Sequence, residues 1–291
     1  MKFSSLCASC IVKQVPLLAE INKIDDKTEK DTLRKVLSFF ATADYSKSTP
    51  ELVGGAWDIM SSQFGERDLY RSVKLYLNKK LLSISENIEK QIENLKTPKE
   101  KFRLALCSDI AGNLIDFAAP DSVDFETFEN KINEIQNTKF GVDDSDILFE
   151  KLHSAKTILW LGDNCGEIAL DKMFIKVLKE IFPSIQVFYT VRGMAVMNDV
   201  TTVDADDVKM SEVATVISNG DKSAGTVLEC VSDEFKNLFY KADVVISKGQ
   251  GNFEGLYLPD RTNIFFLYMA KCPVTAKMAD APVKSIVCKG F

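Results

Sequence analysis

Asp163 and Asn164 stand side by side directly after a short apolar run, with Gly162 before them, Cys165 and Gly166 after them, and then Glu167. Carboxylate and amide oxygens are hard donors, suited to a cation such as Mg²⁺ or Mn²⁺. The apolar run Thr157–Leu161 reads as a strand, and residues 168–181 read as an amphipathic helix. Acidic donors are thereby placed at the carboxyl end of a strand, where open α/β sheets bind ligands. Gly162 and Gly166 allow the tight backbone that such a turn needs. The chemistry implied is a metal-assisted reaction on a small molecule. Glu167 also suits the start of a helix, where a carboxylate complements the dipole. Asp171, one turn further on, reads as a solvated or capping charge.

Three more polar turns follow apolar runs. Arg192 and Gly193 close the run 185–191, and a guanidinium there suits a phosphate or carboxylate. Asn198 and Asp199 come next. Asp199 would bring a third oxygen ligand to the same rim, although Asn and Asp in sequence also fit an N-cap before residues 200–205. The fourth turn, Lys248-Gly249-Gln250-Gly251-Asn252-Phe253-Glu254, follows the apolar run 244–247. Its glycines let the backbone approach a ligand, and Lys248 would neutralise phosphoryl oxygens. The order of residues is neither a Walker A loop nor GxGxxG. Each turn alone fits a structural role. Together, at the ends of successive parallel strands, they would face one crevice with metal ligands, an Arg and a Lys, the equipment for phosphoryl transfer or phosphate ester hydrolysis.

The rest of the composition narrows the field. His153 is the single histidine, so a multi-histidine zinc site is excluded, and a Ser-His-Asp triad would have to use that residue. It ends a polar segment and reads as a surface residue. Seven cysteines, mostly scattered, do not suggest a disulfide framework. Cys7 and Cys10 form a CxxC pair without a second pair or a His to complete a zinc site, far from any βαβ pattern. A net charge of −6 without a Lys/Arg-rich block argues against nucleic acid. No apolar run approaches the ~18 residues of a membrane helix, and no signal-peptide region precedes Lys13, so the chain reads as soluble and cytoplasmic.

These turns require a scaffold. Residues 1–150 read as an all-helical subdomain, with helices expected over 32–43, 69–95, 102–117 and 121–136. Ser48-Thr49-Pro50-Glu51 and Thr97-Pro98-Lys99-Glu100 place a capping hydroxyl ahead of a helix-opening Pro. Residues 151–291 alternate strand-like runs (157–161, 185–191, 214–217, 244–247, 263–268 and 285–288) with helical ones such as 231–240. That alternation implies an α/β, Rossmann-like, mostly parallel sheet carrying the site.

The quoted residues resemble a known family. Asp163-Asn164-x-Gly166-Glu167, the Arg192-Gly193 and Asn198-Asp199 pairs, and Lys248 to Glu254 look like the metal-dependent damage-control phosphatases, long described only as a domain of unknown function. That family includes the proteins once called acidic-residue methyltransferases. Ala111-Gly112-Asn113-Leu114-Ile115-Asp116-Phe117 is also similar to a family motif, and Cys7-x-x-Cys10 looks like that of its stand-alone, prokaryotic-type branch. The resemblance implies a helical subdomain beside a Rossmann-like one with the site between them. It places one divalent metal, Mg, Mn, Co or Ni, on Asp163, Asn164 and Asp199. Asn113, Glu167, Arg192, Lys248, Asn252 and Glu254 match polar positions around the substrate, a small phosphorylated metabolite.

The expected reaction is hydrolysis of phosphate monoesters, sugar phosphates or damaged phosphometabolites, with Asp163, Lys248 and Glu254 as catalytic residues. The nucleophile is either the Asp163 carboxylate or a water activated by the metal. The absence of a DxDx[TV] signature at Asp163 favours water. Cys165 would add a thiol near the metal. Asp68, Tyr70 and Asn78 of the helical half would contribute to the cleft. Two rivals are an S-adenosylmethionine-dependent carboxyl methyltransferase, which the poorly formed glycine loop at 162–166 disfavours, and a non-catalytic metabolite-binding protein. Neither rival needs a cation at Asp163 and Asp199. Oligomeric state has no signature in the sequence.

Overall fold

A computed structural model describes residues 3–113, 138–257 and 262–291. The helix expected over 121–136, and positions 114–117 of the family-like segment, lie outside the described residues.

Six helices precede the sheet among the described residues: α1 (Ser5–Val12), α2 (Gln14–Ile21), α3 (Asp26–Thr42), α4 (Thr49–Phe64), α5 (Arg71–Glu93) and α6 (Pro98–Gly112). Their starts are set by local chemistry. The Asp25 carboxylate accepts from the Thr28 N–H at 3.0 Å and caps α3. Ser48 with Glu51, and Thr97 with Glu100, form reciprocal capping boxes ahead of α4 and α6, each with Pro in the first turn. Along α5, Val73, Leu77, Leu81, Ile84, Ile88 and Ile92 recur every three or four residues, and all are buried. Neither α1 nor α2 is signalled by a capping side chain.

The rest of the chain alternates strands and helices: β1 (Val142–Asp143), α7 (Ser145–Leu152), β2 (Thr157–Leu161), α8 (Glu167–Ile181), β3 (Gln186–Val191), α9 (Thr202–Asp207), β4 (Thr215–Ser218), α10 (Asp233–Lys241), β5 (Val244–Lys248), α11 (Gly249–Leu256), β6 (Ile264–Met269), α12 (Pro273–Ala279) and β7 (Ile286–Gly290). The described strands form a seven-stranded sheet in the order β1-β7-β6-β5-β2-β3-β4. Every pair is parallel except β6 with β7. The fold is therefore α/β with a mostly parallel mixed sheet.

Residues alternate between the two faces of the sheet. Ile158 and Trp160 of β2 enter a core that also holds buried residues of α5, α6 and α8, while Leu159 and Leu161 join Phe235, Phe239 and Phe253 on the other face. Burial on both faces explains why the strands read as unbroken apolar runs. The N-terminal helices share the first of these cores with the sheet.

Strand β2 pairs with β3 on one side and with β5 on the other. The chain runs outward from β2 through β3 to β4, then returns across β2 to β5 and β6. The order reverses between β2 and β5, the switch point at which open sheets hold ligands. Leu161 is in register with Ser247, so Asp163 and Gly249 leave the sheet side by side.

Candidate active site

The turn after β2 and the loop after β3 are zipped together. The Val200 N–H donates to the Asp163 carbonyl and the Cys165 N–H to the Asn198 carbonyl, both at 2.9 Å. Asn164 and Asp199 form an isolated antiparallel bridge. The N-cap expected at Asn198-Asp199 is two residues further on: Thr201 caps α9 in a box with Asp204. Freed from capping, Asp199 accepts from Arg192 Nε at 2.6 Å, and Arg192 Nη2 lies 3.7 Å from Asp163 Oδ1. One buried guanidinium thus joins both carboxylates. The Asn164 amide donates to Asp163 Oδ2 at 2.5 Å and accepts from Asn198 at 2.8 Å.

Asp163, Asn164 and Asp199 line a cavity of about 590 Å³, together with Asn113 and Glu254. One wall is α1, through Leu6, Cys7 and Cys10, and another is the segment from Lys271 to Val274 after β6. Burial pushes the Asp163 carboxyl well above the usual range, and Asp199 and Glu167 push it further; Arg192 only partly offsets this. Asp199 is also raised by burial, against the pull of Arg192. Burial takes the Glu254 carboxyl up to about 7.

Behind the cavity lies a second ionic cluster. Lys248 is fully buried, with Asp109 of α6 at 2.8 Å, Asp171 at 2.8 Å and Glu167 at 3.0 Å. Burial alone would depress its pKa, but these three carboxylates hold the ammonium well above its usual range. Lys248 is not among the described residues lining the cavity, and neither are Arg192, Glu167 and Asn252. Glu167 instead accepts from Asn113 and Asn164, both at 3.1 Å. Asn252 donates to the carbonyls of Gly162 at 3.1 Å and Lys248 at 2.8 Å, tying the ends of β2 and β5 together. Asp171 is not solvated as expected: it is buried, paired with Lys248 and accepting from Tyr189 at 2.6 Å. Cys165 is buried away from the cavity lining. Asp68, Tyr70 and Asn78 also lie off the lining. His153 is exposed, edge-on to Phe149 and Phe182.

No group of three or more His, Cys, Asp or Glu side chains among the described residues is placed to hold a metal. The donor set here is two carboxylates and an amide. It fits a hard divalent cation on the observations already made: oxygen donors on one cavity wall, two neighbouring carboxyls pushed up by burial, and a shared guanidinium whose Nη atoms are buried without a hydrogen-bond partner. A half-turn of the Asn164 amide would exchange its nitrogen for its oxygen beside Asp163.

The model of the damage-control phosphatase ARMT1-like domain matches residues 3–287. The chain belongs to this family. It is 30% identical over 289 residues to a damage-control phosphatase of Pyrococcus horikoshii, covering 99% of this chain and 98% of that one. A damage-control phosphatase of Archaeoglobus fulgidus is 27% identical over 294 residues, covering 99% of both. The crystal structure of a DUF89 family protein from Pyrococcus horikoshii superposes with a TM-score of 0.90 at 29% identity, over 100% of this chain and 99% of that one. In this damage-control phosphatase-family chain, three residues bearing on the site are absent from the site residues expected from the sequence. Asp109 and Asp171 meet Lys248 only through tertiary packing. Lys271 lines the cavity just beyond β6, a strand end like those that flagged the other turns.

Proposed function

We propose that this chain is a divalent-metal-dependent phosphatase acting on small phosphate monoesters, sugar phosphates or damaged phosphometabolites. The observation that carries the reading is the convergence of Asp163, Asn164 and Asp199 on one cavity wall at the sheet's switch point, in a chain of the damage-control phosphatase family. Those three residues would hold the cation, which when bound supplies Lewis-acid stabilisation of phosphoryl oxygens and a more acidic water.

The chain's own residues supply the rest. Lys271, an exposed ammonium on the cavity wall, offsets phosphate charge. Lys248 keeps the ends of β2 and β5 and the start of α8 in place from behind. Glu254, whose carboxyl burial raises to about 7, is partly protonated at neutral pH, and that proton goes to the leaving alkoxide. Asn113 orients the ester from the helical side. Water attacks phosphorus rather than the Asp163 carboxylate, which is committed to holding the cation and lacks the DxDx[TV] context of a carboxylate nucleophile.

The test is hydrolysis of p-nitrophenyl phosphate by metal-stripped protein, with Mg²⁺, Mn²⁺, Co²⁺ and Ni²⁺ restored in turn, beside Asp163→Ala. Turnover that needs a cation and vanishes in the folded variant supports the reading. Full activity in Asp163→Ala, or none in wild type with any cation, overturns it.

A further inference from the structure

Gly166 lies inside the Asp163–Glu167 turn and opens α8, yet its own sequence cannot cap that helix. Its φ of 72° and ψ of −55° lie outside the extended conformation of an ordinary N-cap, and glycine has no side chain to accept from the first turn. In a capping box the third helical residue reaches back to the N-cap N–H. Here that residue is Ala169, which has nothing to reach with. The acceptor comes from the other half of the chain: Asn78 Oδ1 on α5 takes the Gly166 N–H at 2.6 Å.

Asn78 is fully buried, and its orientation is fixed from behind. Its NH₂ group faces Asp204 Oδ1 and Asp207 Oδ2, each at 3.4 Å, which leaves the oxygen for Gly166. Asp207 is gripped by Arg71 through two contacts, at 2.6 and 2.9 Å. Asp204 pairs with the buried Lys74 at 3.1 Å and accepts from Thr201 N–H and Oγ1, each at 2.8 Å. The amide therefore cannot turn without placing its oxygen against two carboxylates. Asn78 does not line the cavity.

We propose that Asn78 is a positioning residue for the reaction, holding the Asp163–Glu167 turn in the conformation that presents Asp163 and Asn164 to the cation. It acts on the cation's ligands as outer hydrogen-bond partners act in metal sites, where their loss costs about 10- to 100-fold in metal affinity. The effect on cation affinity rests on the function proposed above; the effect on the turn does not.

Two measurements on the full chain test it. The first is amide hydrogen exchange of metal-stripped protein. Asn78→Ala should lose protection in the peptide covering residues 163–168, while Leu81→Ala, a cavity-forming change further along α5, should not. The second is Mn²⁺ titration by calorimetry. Asn78→Ala should bind about 10- to 100-fold more weakly, and Leu81→Ala within about twofold of wild type. Wild-type protection of the 163–168 peptide in Asn78→Ala, or wild-type Mn²⁺ affinity in that variant, overturns the proposal. Wild-type protein that takes up no divalent cation overturns the metal reading instead, and the exchange measurement then decides Asn78 alone.

Discussion

Gly249 stands so close to Asp163 that a Cβ on it would lie 1.8 Å from Oδ2 and 2.1 Å from Cγ. Its φ of +75° is in the left-handed region as well. The first residue after β5 is thus kept bare for the carboxylate that follows β2, and the two strand ends are shaped as one surface.

Gly249→Ala should therefore act on both stability and turnover. The added methyl displaces Asp163 and strains the backbone, with an expected loss of ~2 kcal/mol of folding stability. A displacement of about 1 Å at a reacting centre costs about 100-fold in rate. Urea unfolding and kcat measured on the folded fraction check both effects. A variant with wild-type kcat would show that Asp163 has room to move.

The two lysines should separate cleanly. Lys248→Met leaves Asp109, Glu167 and Asp171 buried around no cation, a change expected to cost ~3–5 kcal/mol. Lys271→Ala removes an exposed cation and should leave the unfolding midpoint within error, but lower kcat/KM for p-nitrophenyl phosphate about 10- to 100-fold through a lost charged contact. Thermal unfolding beside steady-state kinetics distinguishes them, and the reverse pattern would exchange their roles.

Glu254 gives a pH signature with a definite sign. Its carboxyl is at about 7 in the folded chain against an ordinary 4.5. The folded state binds the extra proton between those values, so this group's contribution falls as pH rises from 4.5 to 7 and is level above. Glu254→Gln should gain on wild type across that window, by up to ~3 kcal/mol. Unfolding free energies of the two proteins from pH 4 to 9 measure the difference. The variant should also lose the alkaline limb near pH 7 from its kcat profile, because glutamine has no proton to deliver.

Cation binding should stabilise the fold by mass action. Protein stripped with chelator and then given Mn²⁺ at 100 times its dissociation constant should gain ~2.7 kcal/mol. Asp199→Asn, at the same Mn²⁺ concentration, should gain clearly less. Calorimetric melting with and without Mn²⁺ reads this directly, and an equal gain in Asp199→Asn would remove Asp199 from the ligand set.

The parts of this molecule that could be read in the sequence are those written locally. Ser48, Glu51, Thr97 and Glu100 announce their helices because a capping box spans four residues. The turn at Asp163 and the loop at Lys248 stand out because apolar strands end abruptly in polar residues. What stayed hidden depends on contacts across the chain. Asp171 resembles a solvated helix charge until Lys248 and Tyr189 are brought to it. Arg192 reads as a phosphate clamp, and its buried pairing with the Asp163 and Asp199 carboxylates has no local signature. Strand β1 has two residues, too few for any alternation to register.

The cavity's walls come from opposite ends of the chain, residues 6–11 on one side and residues 271–274 on the other, while the acidic cluster lies in the middle. During synthesis the carboxylates would leave the ribosome long before Lys271 does. The enclosure therefore forms only when segments far apart in the sequence have packed together, whereas the two acidic turns are joined by hydrogen bonds to each other.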